Sequence, residues 1–204
     1  MIAAKAEFKR RYAEIDEYLD HLEGLEKLTG ISVNLMATMK ASALLMMYNL
    51  VESTMTNIVQ AVFDHLRQKK VGLNSMNDVM KAMVMSNIKK RNPTNLVEKM
   101  RAQGIDVAIA SFDRTTVFSG NVDSQKMHDT FSEFGIARKG LIKEPVLLEI
   151  KKARNDLAHG SKSFADAGKI YTTNDLRNKH VKVRRALERA LTTFDVFVNT
   201  SAYA

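Results

Sequence analysis

The chain has 204 residues, 45% hydrophobic and 26% charged, enough for one substantial core and ordinary for a soluble globular protein. It contains no cysteine, which excludes disulfides and thiolate metal sites, and its two prolines and nine glycines favour long helices over a turn-rich β architecture. The net charge of +8 is concentrated: residues 138–204 carry 14 Lys/Arg against 7 Asp/Glu, whereas residues 1–137 carry 17 against 16. A basic third of this kind points to a polyanionic partner, of which nucleic acid is the commonest, although a solvated helix face would carry the same charge.

The opening MIAAKAEFKRR lacks the apolar stretch of a signal peptide. Residues 5–28 then place Phe8, Tyr12, Ile15, Leu19, Leu22 and Leu25 at helical spacing, with Gly30 beyond the end. A second, methionine-rich helix is predicted from about Val33 to Lys70. Its most apolar part, residues 33–51, is interrupted by Lys40, Asn34, Ser42 and Asn49, so it reads as a buried amphipathic helix and not a membrane span. No membrane association is expected, and the protein is expected to be cytoplasmic.

Ser75 is the predicted cap of a helix running to about Lys90, with Asp78 three residues on. Pro93 opens a short helix that ends before Gly104, and residues 105–120 read as extended or loop. Asp123 caps SQKMHDTFSEF, with Gly135 at the stop. Pro145 suits the first turn of a helix through RNDLA, stopped by Gly160. SKSFADAGKIYT reads as a loop, and Thr172 with Asp175 forms a capping-box pattern that opens the last helix. There Leu176, His180, Val183, Leu187, Leu191, Phe194 and Val198 line one side, while Lys182, Arg184, Arg185 and Arg189 occupy mostly the other. Residues 1–204 read as one all-α domain with an irregular insertion at about 71–122.

No two of the five histidines lie at a metal-binding spacing, and no phosphate loop or GxSxG motif is present, so no metal or cofactor is expected and a small-molecule enzyme finds no support. His180 falls on an apolar stripe and reads as a core residue; His21, His65 and His128 read as surface residues. His159 differs by its company in RNDLAHG (154–160). Histidine transfers protons near neutral pH, Arg154 offers a permanently charged fork for phosphate oxygens, and Asn155 can orient either one. Five positions separate Arg154 from His159, about 500° of helix, so the two would diverge unless the helix ends between them. An end at Leu157–Ala158 would let His159 swing back toward the arginine. The plainer alternative, a polar helix end, stays open on spacing alone. A base and an acid need two histidines, which a twofold dimer would supply.

The longer string RNDLAHGSKSF…G…YTTNDL resembles the HEPN superfamily, whose helical ribonucleases carry an R-N-x-x-x-H motif. More narrowly it is similar to a bacterial HEPN-like nuclease subfamily with RN-x-LAHG, a serine–phenylalanine loop, a glycine and a YT-x-x-DL helix start. YNLVEST (48–54) and SGNVDSQKMHDTFSEFGI (119–136) resemble earlier blocks of that group, so the likeness spans most of residues 40–200. It implies an antiparallel helical bundle of four to six helices. It also implies a homodimeric, metal-independent endoribonuclease that cleaves RNA by 2′-hydroxyl attack, as a toxin of a toxin–antitoxin pair or a phage-defence system with an antitoxin or defence partner.

On this resemblance the catalytic residues are Arg154, Asn155 and His159. Glu52 and Asp156 would support them, although Glu52 reads equally well as an ordinary exposed helix glutamate. Lys151, Lys152, Lys162, Arg184 and Arg185 are candidate RNA contacts. Toxins of this superfamily that are modified on a tyrosine two residues after the histidine differ here, where Ser161 stands. The alternative function is a non-catalytic HEPN-like dimer that binds RNA or a protein partner.

Overall fold

The computed structural model describes residues 1–118, 120–137 and 144–204, and every regular element among them is helical. Four long helices carry the architecture: α1 (Ile2–Glu26), α2 (Val33–Gln68), α7 (Pro145–Ala158) and α9 (Thr173–Asn199). Between α2 and α7 lie α3 (Asp78–Lys89), α4 (Pro93–Gln103), α5 (Val107–Ala110) and α6 (Ser124–Glu133), and α8 (Phe164–Gly168) links α7 to α9. The four long helices satisfy the expected bundle, and the shorter ones are added to it. Within the insertion at 71–122, α3 and α4 stand where helices were expected, and the part read as irregular holds α5 and two 3₁₀ turns, Leu73–Ser75 and Arg114–Thr116.

α2 is the axis. Fifteen of its residues are buried, from Ala37 to Leu66, because α1, α7, α8 and α9 all pack on it. Side-chain ties give the directions. Glu26 meets Lys40 (2.6 Å), so α1 and α2 run antiparallel. Lys5 pairs with Asp195 (2.6 Å), while Arg177 gathers Asp16, Asp20 and Glu23, so α9 runs antiparallel to α1. Glu149 accepts from Lys179 (2.7 Å) and from the Tyr171 hydroxyl (2.9 Å), fixing the start of α9 to the middle of α7. Exposed pairs add little stability individually; the apolar core they frame extends from Ala4 to Tyr203.

Several ends follow local chemistry. The Thr172–Asp175 capping box forms as predicted, and Gly104 and Gly135 take positive φ at helix ends. Asn77, and not Ser75, caps α3, its side chain accepting from Met80 N–H (3.0 Å). Asn77 is itself held: its N–H donates to the Tyr203 carbonyl and its amide Nδ2 to the Ala202 carbonyl, both at 2.9 Å. Tyr203 is buried, with its hydroxyl 3.3 Å from His65 Nε2. The expected loop SKSFADAGKIYT contains α8, whose Ser163 cap accepts from Asp166 N–H (3.0 Å). α8 settles so closely that a Cβ on Gly168 would lie 1.8 Å from the Ala37 carbonyl oxygen and 2.9 Å from Ala41 N. Small residues on both sides, Ala37 and Ala41 against Ala167 and Gly168, permit that approach. No helix among the described residues is long and apolar enough to cross a membrane.

His180 lies in the core, as its stripe predicted, stacked on Tyr12 with ring centroids 3.9 Å apart and neither ring nitrogen hydrogen-bonded. His65 and His128 are not the surface residues expected: His65 is half-buried and His128 is buried on α6. The first packs on Tyr203, and the second faces Met127, Phe131 and Leu147 in a cavity of about 220 Å³.

Gly168→Ala is expected to destabilise by about 3 kcal/mol, the upper end of overpacking costs, and to lower Tm by roughly 9 °C. Gly24→Ala, with nothing within 4 Å of the new methyl, should stabilise by about 0.5 kcal/mol. Thermal unfolding of the two variants checks both signs. Burial pushes the His180 imidazole down from 6.5 to about 4, with Asp16 opposing and Arg177 and Arg184 reinforcing. The unfolded imidazole therefore takes up its proton near pH 6.5 and the folded one only near pH 4. Stability should fall by on the order of 3 kcal/mol as pH drops through that window, then level off. Urea unfolding of His180→Phe should show a flatter profile there; profiles that parallel the wild type would refute it.

Candidate active site

The site is built where α7 crosses α2, around a loop held between them. Tyr48 and Glu52 lie one turn apart on α2. Glu52 Oε1 accepts from Gly120 N–H (2.8 Å), and the Tyr48 hydroxyl accepts from Val122 N–H (3.2 Å). From the other side α7 supplies Lys151, which pairs with Asp123, and Arg154, three residues on. The Arg154 guanidinium lies 5.3 Å from the centre of the Tyr48 ring, a cation–π arrangement. It also fills the space beside Gly120, where a Cβ would come within 2.7 Å of Nη2 and where φ is +75°. Arg154 Nη1 donates to Asn155 Oδ1 (3.1 Å).

The loop reaches this position because residues 107–118 and 120–123 run as a strap back along α2 from its C-terminal half, mostly over one face. Phe112 stacks on Phe63 (4.2 Å), Arg114 donates to Asn57 Oδ1 (2.7 Å), then Gly120 meets Glu52 and Val122 meets Tyr48. Phe63, Glu52 and Tyr48 share that face by helical spacing. Burial raises the Tyr48 phenol, and Glu52 adds to this while the Val122 N–H and Arg154 oppose it. Burial would also raise the Asp123 carboxyl, but Lys151 and the Lys126 N–H outweigh it and hold the group below the usual range.

His159 is the C-cap of α7 and is exposed. The expected swing before the histidine does not occur: its backbone stays helical (φ −89°, ψ −2°), with its N–H on the Asn155 carbonyl (3.0 Å). Reversal comes one residue later. Gly160, at φ +68°, donates to the Leu157 carbonyl (3.2 Å) and Ser161 N–H to the Asp156 carbonyl (2.9 Å), a Schellman closure. Around an ideal helix Asn155 then stands about 100° and His159 about 140° from Arg154. Asn155 thus lies between them, and Lys152, Asn155 and His159 share one face.

The remaining candidates divide. Glu52 joins the Arg154 cluster through Gly120. Asp156 and Lys162 pair with each other (2.8 Å) and brace the turn after His159. Lys151 is engaged by Asp123, and Lys152 is exposed without an ion pair among the described residues. On α9, Arg184 pairs with Glu188 (2.9 Å) and lies over the Tyr12 ring of α1. Arg185 borders the cavity beside Met127 and His128 of α6. Neither arginine has a described contact with the motif. Sequence reasoning missed Tyr48, Gly120 and Asp123 as site residues, although the signal was present: YNLVEST and SGNVDSQKMHDTFSEFGI are the two stretches that meet here. Residue 119 of the second lies outside the described residues. Among the described residues no group of three or more His, Asp or Glu is placed to hold a metal ion.

A family model described as HEPN_MAE_28990-like HEPN matches residues 4–203. No curated protein and no solved structure matches the chain.

Gly120→Ala should cost about 1–2 kcal/mol from the left-handed backbone alone. It should also push the guanidinium off the Tyr48 face. A lower urea midpoint at unchanged slope is the expected reading; an unchanged midpoint would contradict the placement of Gly120 against Arg154.

Proposed function

Because the chain belongs to the HEPN_MAE_28990-like HEPN family, we propose that it is a metal-independent endoribonuclease acting at a composite site formed by two copies, with residues 1–204 serving as one HEPN domain. The observation that carries this reading is the anchored Arg154–Asn155 pair with His159 exposed one turn further along the same helix. Among the described hydrogen bonds, only one uses the guanidinium, which leaves donors for phosphate oxygens.

Cleavage runs by attack of an RNA 2′-hydroxyl on the adjacent phosphorus. The O2′–P bond forms as the P–O5′ bond breaks, leaving a 2′,3′-cyclic phosphate and a 5′-hydroxyl. His159 of one copy takes the 2′-hydroxyl proton, and His159 of the other delivers a proton to O5′. Arg154 neutralises charge on the non-bridging oxygens, and Asn155, between the two, orients the phosphate. The shared face of Lys152, Asn155 and His159 continues to Leu148, 42% exposed, and supplies an apolar edge for twofold pairing. In the cell this activity acts as a cytoplasmic toxin or phage-defence effector held in check by an antitoxin or defence partner.

Purified protein is expected to cleave RNA in EDTA, and His159→Ala and Arg154→Ala to lower the rate by about 10²–10⁴-fold. Cleavage retained by His159→Ala defeats the mechanism. Salt-sensitive RNA binding with no cleavage by the wild type would instead favour the non-catalytic dimer. Induced expression should slow growth for the wild type and not for His159→Ala.

A further inference from the structure

A cavity of about 500 Å³ opens beside the C-terminal half of α2, walled by α4, α5 and the 3₁₀ turn at Arg114–Thr116. It begins at Gln60, roughly 12 Å along α2 from Glu52, and none of its lining residues belongs to the motif. Its size is that of a small-ligand site. Five cations border it, Arg67, Lys90, Arg91, Lys99 and Arg114, against two carboxylates, Asp64 and Asp113.

The cations are not equivalent. Arg91 is used internally, on Asp113, the Ser111 carbonyl and Thr116 Oγ1. Lys99 holds the Ala110 and Phe112 carbonyls, and Arg114 holds Asn57. These bonds build the rim. Arg67, from α2, and Lys90, at the end of α3, have no counter-ion among the described residues, yet both face the same space. Two like charges beside one cavity repel each other unless an anion lies between them. Asp64 is bonded only to the Gln60 amide among the described residues (2.8 Å), so its second oxygen remains an acceptor for hydroxyl groups. Phe112 and Leu96 add an apolar surface to the lining.

We propose that this cavity binds a nucleotide: phosphate on Arg67 and Lys90, ribose hydroxyls on Asp64, and the base against Phe112 and Leu96. The same chemistry is presented by a free nucleotide and by one nucleotide of an RNA strand.

The test is titration of the 204-residue His159→Ala protein with 5′-AMP and, separately, with a short oligoadenylate, by calorimetry. In that background Arg67→Glu with Lys90→Glu is compared with Lys9→Glu with Lys182→Glu, an equal charge change at exposed positions outside the cavity lining, after thermal unfolding has verified that both are folded. Binding weakened by at least roughly tenfold in the first pair and not in the second is the expected result. Binding of AMP identifies a free or terminal nucleotide as the occupant, and binding of the oligoadenylate alone identifies a strand. No binding of either probe, or equal weakening by both pairs, overturns the proposal, whatever the outcome of the cleavage assay.

Discussion

The candidate site depends on two backbone N–H groups, those of Gly120 and Val122, being accepted by side chains of α2. A partly buried amide without a partner costs about 1–3 kcal/mol, and Glu52 and Tyr48 remove that cost for both at once. The strap is thereby held against α2, leaving α7 to close over it. Arg154 takes its place because the loop offers a glycine where any side chain would collide with the guanidinium. Tyr48 then serves twice, as hydrogen-bond acceptor for the loop and as the aromatic face beneath the cation. The order of dependence runs from α2 to the loop to the arginine.

The turn after His159 is secured by a second, independent set of constraints. Gly160 reverses the chain, the Asp156–Lys162 pair braces the reversal, Ser163 caps α8, and Gly168 lays α8 directly on the backbone of α2. Thr172 then starts α9. The letters that make RNDLAHGSKSF…G…YTTNDL distinctive thus divide into two kinds: a few polar side chains available for chemistry, and a larger number that shape the backbone carrying them. His159 is presented by rigid surroundings while its own side chain stays exposed, with no hydrogen bond among the described residues.

What could be read in the sequence was what local rules govern. Proline at the start of α7, glycine after it, the capping box at Thr172 and the apolar stripe containing His180 all depend on residues within a turn or two of one another. α8 was not legible, because five residues do not make a helix by propensity; it exists because Gly168 fits against Ala37 and Ala41, a match between distant segments. The path of the strap over 107–118 and 120–123 was hidden for the same reason, since it is set by Phe63, Asn57, Glu52 and Tyr48. At the motif, the three residue types were legible and their angular arrangement was not. The bend was expected before His159, and the left-handed residue that makes it is Gly160. The burial of His128 shows the same limit: a polar residue in an amphipathic helix gives no sign of which neighbour will cover it.

The cap of α3 has a bearing on how the protein is made. Asn77 starts that helix, yet both of its outward hydrogen bonds end on carbonyls at positions 202 and 203, the nearer of them 125 residues along the chain from the amide that reaches it. A ribosome delivers α3 long before it delivers those carbonyls, and contacts of such separation close late. During synthesis α1 and α2 can pair as soon as they emerge, whereas the beginning of α3 waits for residues 202 and 203. Lys90, which faces the basic cavity, stands at the other end of that helix, so a nascent chain carries its apolar axis well before it carries α3 braced at its start.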